Sequence, residues 1–312
     1  MDVMATLEAL RLRLEARQDP NGGWGFQEGQ VALEPTCLAV LALLGASSVR
    51  ADKGLRWIRN HQNRDGSWAA FLGDEFSGCW TTSLALLALL TAGQLKRETR
   101  DAVIWLISDL PREAHWIWRW RFRTVDNRVS FNPAKFGWSW VAGTTSWVIP
   151  TAFAVIALKR SRGGNLDVAA RIDHRIDRAT EMLLDRTCPE GGWNSGNGLV
   201  FGVPVAAHLD ATAIALLALR SHCRNTEVEG ALRWLVRAVR GCPSPYSLAW
   251  AIITLKAYEN CESGFEQLLH TAVGRLVSLI NGPGVLEDTS GLATTMLALQ
   301  TIQGTRVFEG EV

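Results

Sequence analysis

The 312-residue sequence lacks the features that mark several large classes of protein. It has no run of about 18 consecutive apolar residues, the length that spans a bilayer as a helix; the richest stretches are 83–92 and 147–158. Lys and Arg number 32 and Asp and Glu 31, so no excess charge attracts nucleic acid or an anionic surface. We therefore expect neither a transmembrane protein nor a nucleic-acid-binding protein, while peripheral membrane contact stays open.

Cysteine is scarce, and its spacing carries no metal or disulfide signal. The six cysteines form no C-x-x-C pair, and no His/Cys cluster has the spacing of zinc ligands. The segment MDVMATLEALRLRLEARQ is amphipathic and charged, unlike a signal peptide. We therefore expect reduced thiols, a cytoplasmic location, no metal and no cofactor.

What the sequence does contain is an internal repeat that returns six times. Each copy has Thr or Ser near its start and continues with small and aliphatic residues, so it is apolar nearly all round, like a helix packed on both sides. The copies begin at Glu34, Trp80, Ile149, Leu209, Pro245 and Ser290. A more charged segment with helical spacing of its apolar residues precedes each copy. These segments span about 4–17, 51–62, 98–110, 170–187, 226–240 and 264–281.

Alternating helices of these two kinds can form an open solenoid or a closed ring. A solenoid needs polar terminal repeats, and neither terminal unit is markedly polar. The pattern therefore predicts a single all-α domain over 1–312, an (α/α)6 barrel, or toroid, with six inner and six outer helices. The third unit is the longest, which predicts an insertion at about 111–147 that can serve as a lid.

Three turns between an outer and an inner helix share a Gln or Thr, a Gly and a Trp at fixed spacing. They run from Gln18 to Trp24, from Gln62 to Trp68 and from Thr187 to Trp193. Gly permits the positive φ that follows a helix end, Gln can bond exposed backbone, and the indole buries a large apolar area. We expect these turns to have a structural role.

These turns before apolar helices resemble the QW repeats of squalene-hopene and oxidosqualene cyclases, which share an α/α barrel with protein prenyltransferase β subunits. The resemblance covers nearly the whole chain, although such cyclases normally have two barrel domains and this sequence has residues for one. It implies a single-barrel relative that cyclises a terpene or triterpenoid in its central cavity. A partner subunit that supplies a second domain stays open.

The resemblance also points to an acid. The segment H-L-D-A-T-A at 208–213 is similar to the D-x-D-D-T-A motif of these cyclases. Alignment of the Thr-Ala pair places Asp210 on the proton-donating aspartate, with His208 beside it either to orient the acid or to cap the helix. A buried carboxyl stays protonated until it is used, which suits the protonation of an alkene. A helix-capping role explains Asp210 equally well.

Other candidate residues for the cavity lie at inner-helix starts and in the insertion. Carboxylates at a helix start are favoured by the helix dipole alone, so capping is the alternative for the two acids. Aromatic faces stabilise cations by roughly 0.5–2 kcal/mol each, as a carbocation reaction requires. The predicted substrate-binding set is Glu34, Trp80, Trp118, Trp120, Trp138, Trp140, Trp147 and Asp288.

Aromatic and basic residues alternate from Trp116 to Arg123. In an extended segment this alternation places Arg119, Arg121 and Arg123 on one face, where they can bind a diphosphate; only such a substrate would require Mg²⁺. An ordinary loop with solvated arginines is the alternative.

Three functions therefore remain at this point. The leading hypothesis is acid-initiated cyclisation of an isoprenoid, and the others are a non-catalytic lipid-binding or scaffold module and a prenyltransferase that uses a prenyl diphosphate. Zinc-dependent prenylation is not expected, because Pro243 and Pro245 stand where those enzymes have Asp and Cys ligands.

Overall fold

The computed structural model describes residues 3–27, 29–46, 48–73, 78–94, 97–125, 131–261, 264–282 and 288–309, with the backbone alone for 121–125. These residues are mostly helical. In chain order the helices are α1 (Val3–Ala16), α2 (Leu33–Leu44), α3 (Val49–Asn60), α4 (Thr81–Thr91), α5 (Arg97–Ser108), α6 (Trp116–Val125), α7 (Val148–Ser161), α8 (Ala169–Asp185), α9 (Leu209–Ala218), α10 (Thr226–Ala238), α11 (Pro245–Ala257), α12 (Phe265–Ile280) and α13 (Thr289–Ile302).

The six apolar helices form a closed ring. Each packs against the next in the order α2, α4, α7, α9, α11 and α13, and α13 packs against α2. The amphipathic helices pack outside: α3 on α2, α5 on α4, α8 on α7, α10 on α9, α12 on α11 and α1 on α13. The predicted (α/α)6 barrel is confirmed, with its six inner and six outer helices where the repeat places them.

The two kinds of helix differ in how many of their sides are buried. In the inner helix α4, every residue from Thr81 to Leu89 is buried. In the outer helix α8, the buried apolar residues Ile172, Ile176, Ala179 and Leu183 follow one another at three- and four-residue spacing. Such a helix buries one face and leaves the other to solvent, whereas α4 needs neighbours on all sides. No helix in the described ranges is long and apolar enough to cross a bilayer.

The links from outer to inner helices join into a rim at the end of the ring where the inner helices begin. Two links contain short antiparallel hairpins, β1 (Trp24–Gly25) with β2 (Val31–Ala32) and β3 (Leu199–Val200) with β4 (Val203–Pro204). At four inner-helix starts the backbone N–H donates to a carbonyl of another link: Leu33 to Ala70 at 3.0 Å, Trp80 to Trp140 at 3.1 Å, Val148 to Ser195 at 3.0 Å and Thr289 to Phe26 at 2.8 Å.

The predicted structural role of the Trp turns is confirmed by their hydrogen bonds. Each indole N–H donates to a carbonyl near the end of the preceding outer helix: Trp24 to Leu14 at 2.8 Å, Trp68 to Ile58 at 2.7 Å and Trp193 to Leu183 at 2.6 Å. Each Trp backbone N–H donates to a Thr hydroxyl of the following inner helix, Thr36, Thr82 or Thr212. The turn thus ties an outer helix to its inner helix.

Trp138 completes a fourth turn of this kind, which the sequence did not reveal. Its indole N–H donates to the carbonyl of Leu106 at 2.9 Å, and its backbone N–H donates to the Thr151 hydroxyl at 2.9 Å. The ring is buried, and the Arg175 guanidinium lies 4.0 Å from its centroid. The structure therefore places Trp138, a predicted substrate contact, in the scaffold between α5, α7 and α8.

The insertion differs from the sequence-based expectation in one respect. The alternating segment from Trp116 is not extended but forms the helix α6, in which Arg119 N–H already donates to the His115 carbonyl at 3.1 Å. In a helix of 3.6 residues per turn, positions two apart lie roughly 200° apart. Arg119 and Arg121 therefore do not share a face, and the side chains of Arg121 and Arg123 lie outside the described residues.

Candidate active site

Four polar side chains stand at the starts of inner helices that are consecutive in the ring. Glu34, Asp210 and Tyr246 are the second residues of α2, α9 and α11, and Asp288 immediately precedes α13. All four are partly exposed, whereas Cys37, one turn further along α2, is buried. The four therefore form an arc, here called the acid layer, at the mouth of the ring.

The surroundings of the Glu34 carboxyl favour its protonated form. Burial first, and then the charge of Asp288, raise the pKa of Glu34 to about 7, and the nearby Ser290 hydroxyl offsets part of the increase. The side chain nevertheless remains partly exposed. A carboxyl that faces an internal cavity has both properties, and at neutral pH it is protonated in a large share of the molecules.

The Tyr246 phenol lies near enough to the three carboxyl groups for their charges to affect it. Burial raises the pKa of its phenol, and the charges of Glu34, Asp210 and Asp288 raise it further. The phenol is therefore protonated throughout the ordinary pH range and can donate a hydrogen bond.

The remaining polar candidates have simpler local roles. Asp288 caps α13, since its Oδ1 accepts the Gly291 N–H at 2.7 Å. His208 is the N-cap residue of α9, but its side chain is exposed and makes no capping hydrogen bond. Within the described ranges, no three His, Cys, Asp or Glu side chains stand close enough to hold a metal ion.

Aromatic rings make a series of contacts from the mouth into the ring. Trp80, the N-cap residue of α4, meets Trp140 of the insertion edge to face at 5.2 Å between centroids and Phe153 of α7 at 5.6 Å. Phe153 in turn meets Trp250 of α11 at 5.6 Å. Because α9 separates α7 from α11 in the ring, this pair crosses the interior. Two of the predicted residues, Trp80 and Trp140, thus line the mouth.

The other predicted aromatic residues lie further out. Trp118 and Trp120 are on α6, where Trp118 stacks under the Arg112 guanidinium at 5.3 Å and Trp120 is 65% exposed. Trp147 is the N-cap residue of α7, with its ring against Gly196. The structure does not bring these three together with the acid layer.

Sequence reasoning missed Tyr246, Phe153, Trp250 and Phe308, all of which lie along the interior. A signal was available for two of them, because Phe153 and Trp250 interrupt inner-helix repeats that otherwise consist of small and aliphatic residues. A large ring in a helix that must pack closely on both sides indicates that it points into the hole.

Comparisons with known proteins place the chain near the class II terpene cyclases. No protein-family model matches it. It is 25% identical over 231 residues to drimenyl diphosphate synthase of Streptomyces showdoensis, which covers 70% of this chain and 38% of that enzyme. It is 25% identical over 225 residues to squalene-hopene cyclase of Bradyrhizobium diazoefficiens, over 63% of this chain and 31% of that enzyme. The chain thus spans roughly a third of the length of these relatives.

Solved structures show the same fold over nearly the whole chain. The type II terpene cyclase MstE from Scytonema matches with a TM-score of 0.63 and 13% identity, over 96% of this chain and 98% of that one. A reducing-end-xylose releasing exo-oligoxylanase matches with a TM-score of 0.59 and 9% identity, over 98% and 94%. The fold alone therefore leaves the reaction open, and the sequence relatives are what favour terpene chemistry.

Proposed function

We propose that this chain is a class II terpene cyclase-like enzyme, which binds an isoprenoid in its ring and starts cyclisation by protonating an alkene. The observation that carries the proposal is a layer of acids at the mouth of an otherwise apolar interior. Glu34, Asp210 and Asp288 act on one phenol there, and aromatic rings continue inward from Trp80. The two relatives named above support the same reaction class.

The chemistry needs only protein groups. A carboxyl O–H gives its proton to one alkene carbon, the π electrons form the new C–H bond, and the other carbon becomes a cation. Neighbouring alkenes then attack that cation and close rings, and loss of a proton to a base ends the sequence. Aromatic faces stabilise each cation on the way by roughly 0.5–2 kcal/mol.

Two side chains are proposed as the proton donor. Asp210 occupies the position that the cyclase-like segment at 208–213 implies, with the exposed His208 beside it at the surface of the mouth. Glu34 is the second candidate, because its pKa of about 7 leaves it protonated in about half of the molecules at neutral pH. Tyr246, protonated between them, can hold the substrate end or pass hydrogen bonds across the layer.

The mouth is also proposed as a peripheral contact with a lipid surface, from which the substrate would enter. Several exposed apolar side chains project from the links around the mouth: Phe71, Leu72, Val141, Phe201 and Val203.

The proposed reaction uses no organic cofactor, and it requires Mg²⁺ only if the substrate is a diphosphate. The proposed location is the reducing cytoplasm. A partner subunit that supplies a second domain remains a proposal, since the relatives are much longer.

The test is product analysis by mass spectrometry. The purified protein is incubated with squalene, farnesyl diphosphate and geranylgeranyl diphosphate, each with and without Mg²⁺. It is also incubated with xylo-oligosaccharides, the substrates that the name of the exo-oligoxylanase indicates. Asp210→Asn and Glu34→Gln are compared with Asp52→Asn, which removes an acid from the first turn of the outer helix α3, away from the mouth.

Cyclic isomers of a polyprenyl substrate that persist in Asp52→Asn and disappear in Asp210→Asn support acid-initiated cyclisation with Asp210 as donor. Loss in Glu34→Gln alone assigns the donor to Glu34. Bound lipid without turnover points to the lipid-binding module instead. Diphosphate release with transfer of the chain to an acceptor points to a prenyltransferase, and cleavage of the xylo-oligosaccharides refutes the terpene assignment.

A further inference from the structure

The chain beyond α13 closes the end of the ring opposite the mouth. Residues 303–309, here called the tail, leave α13 and reach α7, which lies directly across the ring from it. Arg160 near the end of α7 donates to the Val307 carbonyl at 2.7 Å, and Arg220 beyond α9 pairs with Glu309 at 3.3 Å. The tail therefore spans the diameter of the ring.

One side chain of the tail reaches into the interior. Phe308 is 2% exposed, and its ring meets Trp250 edge to face at 4.9 Å. Trp250 in turn meets Phe153 at 5.6 Å, and both are buried. Trp250 is thus held between a ring from the opposite wall and a ring from the tail. We call these three residues the aromatic floor.

The floor lies close beneath the acid layer. Phe153 and Trp250 are the sixth residues of α7 and α11, so they stand at the same depth, and Tyr246 is the second residue of α11. With a rise of 1.5 Å per residue, the floor is about 6 Å further along the helix than Tyr246. The two levels are therefore separated by about one turn of helix.

We propose that the aromatic floor limits how far an apolar chain can enter the ring, and thereby selects which double bond stops opposite the acid layer. The end of the chain meets the floor, so the distance from floor to acid fixes the register of the chain. The selection of a double bond rests on the proposed function, whereas the depth limit holds for any apolar chain that the ring binds. Phe308, which belongs to the tail and not to the acid layer, becomes a residue that determines specificity.

The depth limit can be measured without catalysis. Saturated primary n-alkanols of increasing length are titrated calorimetrically into the full chain. Burial of each methylene group strengthens binding about fourfold, so affinity should climb with length until the chain end meets the floor and then level off. In Phe308→Ala and in Trp250→Leu, the levelling should occur at a longer alkanol.

Phe265→Ala is the matched control. It removes a buried Phe from the start of the outer helix α12, away from the interior, so it reproduces the loss of a ring without a change in the floor. Its affinity should level off at the wild-type length. The proposal is overturned if all four proteins level off at the same length, or if the folded wild-type protein binds no alkanol.

Product analysis separates this proposal from the proposed function. If the floor sets the register, Phe308→Ala should shift the products of a polyprenyl substrate towards isomers protonated at a more internal double bond. If the variants bind longer alkanols but no cyclic product forms, the depth limit is supported and the proposed cyclase function is refuted. If cyclic products form but the alkanol length limit is unchanged, the cyclase function is supported and the depth limit is refuted.

Discussion

Replacement of Glu34 by Gln provides a direct test of how the acid layer is built. The folded protein raises the pKa of Glu34 from its ordinary value of 4.5 to about 7, first through burial and then through the charge of Asp288. The folded state therefore binds the proton more tightly than the unfolded chain does. By linkage, the wild-type protein must lose stability as the pH rises through this interval.

The size of the effect follows from the two pKa values. Below about 4.5 the carboxyl is neutral in both states and costs nothing, whereas above about 7 it is ionised in both and the full penalty applies, on the order of 3 kcal/mol. Between pH 5 and pH 8 the penalty grows by about 2–3 kcal/mol. Glu34→Gln cannot ionise, so its stability relative to wild type should increase by this amount over that range.

Urea unfolding followed by circular dichroism at pH 5, 6, 7 and 8 measures the difference, and other titrating groups cancel in it. Asp52→Asn, which replaces an exposed acid at the start of an outer helix, is the control for the loss of a carboxylate away from the mouth. Asp288→Asn keeps a residue that can cap α13 and should shrink the Glu34→Gln effect, because it removes one cause of the raised pKa. A Glu34→Gln difference that does not change with pH would refute the reasoning.

Three further predictions concern the scaffold. Thr212→Val leaves the buried backbone N–H of Trp193 without its acceptor and should lower the free energy of unfolding by about 1–3 kcal/mol in urea titration; an unchanged midpoint would contradict the role of the turn. Arg160→Ala removes two hydrogen bonds to tail carbonyls and should speed amide hydrogen exchange in 305–309 roughly tenfold, while unaltered exchange would show that the tail is held by other contacts. Burial raises the pKa of Cys37 well above its ordinary value, so iodoacetamide at pH 8 should label it only after unfolding, as peptide mass spectrometry would show.

The fold was largely predictable from the sequence because the apolar residues of each repeat indicate which sides of its helix are buried. A helix such as α4, buried on every side from Thr81 to Leu89, requires neighbours all round, and a set of six such helices provides them only as a ring. The Trp138 turn was missed because the insertion separates its partners. Its indole bonds to Leu106, 32 residues away, whereas the other three turns span 10 residues.

In the insertion and the tail, the local sequence pattern did not predict the structure. The alternation at 116–123 is short, and a helix satisfies its backbone hydrogen bonds internally, whereas an extended segment needs a partner strand. Phe308 lies 58 residues from Trp250 in a segment without periodic pattern. Their contact exists only because the tail crosses the ring from α13 towards α7 and meets Trp250 of α11 on the way.

The position of the acids was predictable, but their electrostatics was not. The sequence places Glu34, Asp210 and Asp288 at helix starts, where the dipole stabilises negative charge by typically 0.3–1 kcal/mol. That term alone lowers a carboxyl pKa. The raised pKa of Glu34 arises because burial and Asp288 outweigh the dipole, and burial depends on how the ring closes.

The parallel direction of the inner helices also orders the charges along the ring. Their positive ends meet at the mouth, which favours the acid layer there, and their negative ends meet at the tail. Basic groups bond to carbonyls at that far end: Lys159 to Ala218 at 2.8 Å and Arg220 to Ala257 at 2.8 Å. Under the proposed function, the helix dipoles repel a cation formed at the acid layer and favour its movement inward to the faces of Trp250 and Phe153, whereas the carboxylate left by the donor attracts it. The dipoles of the ring therefore oppose the recapture of the charge by the acid that created it.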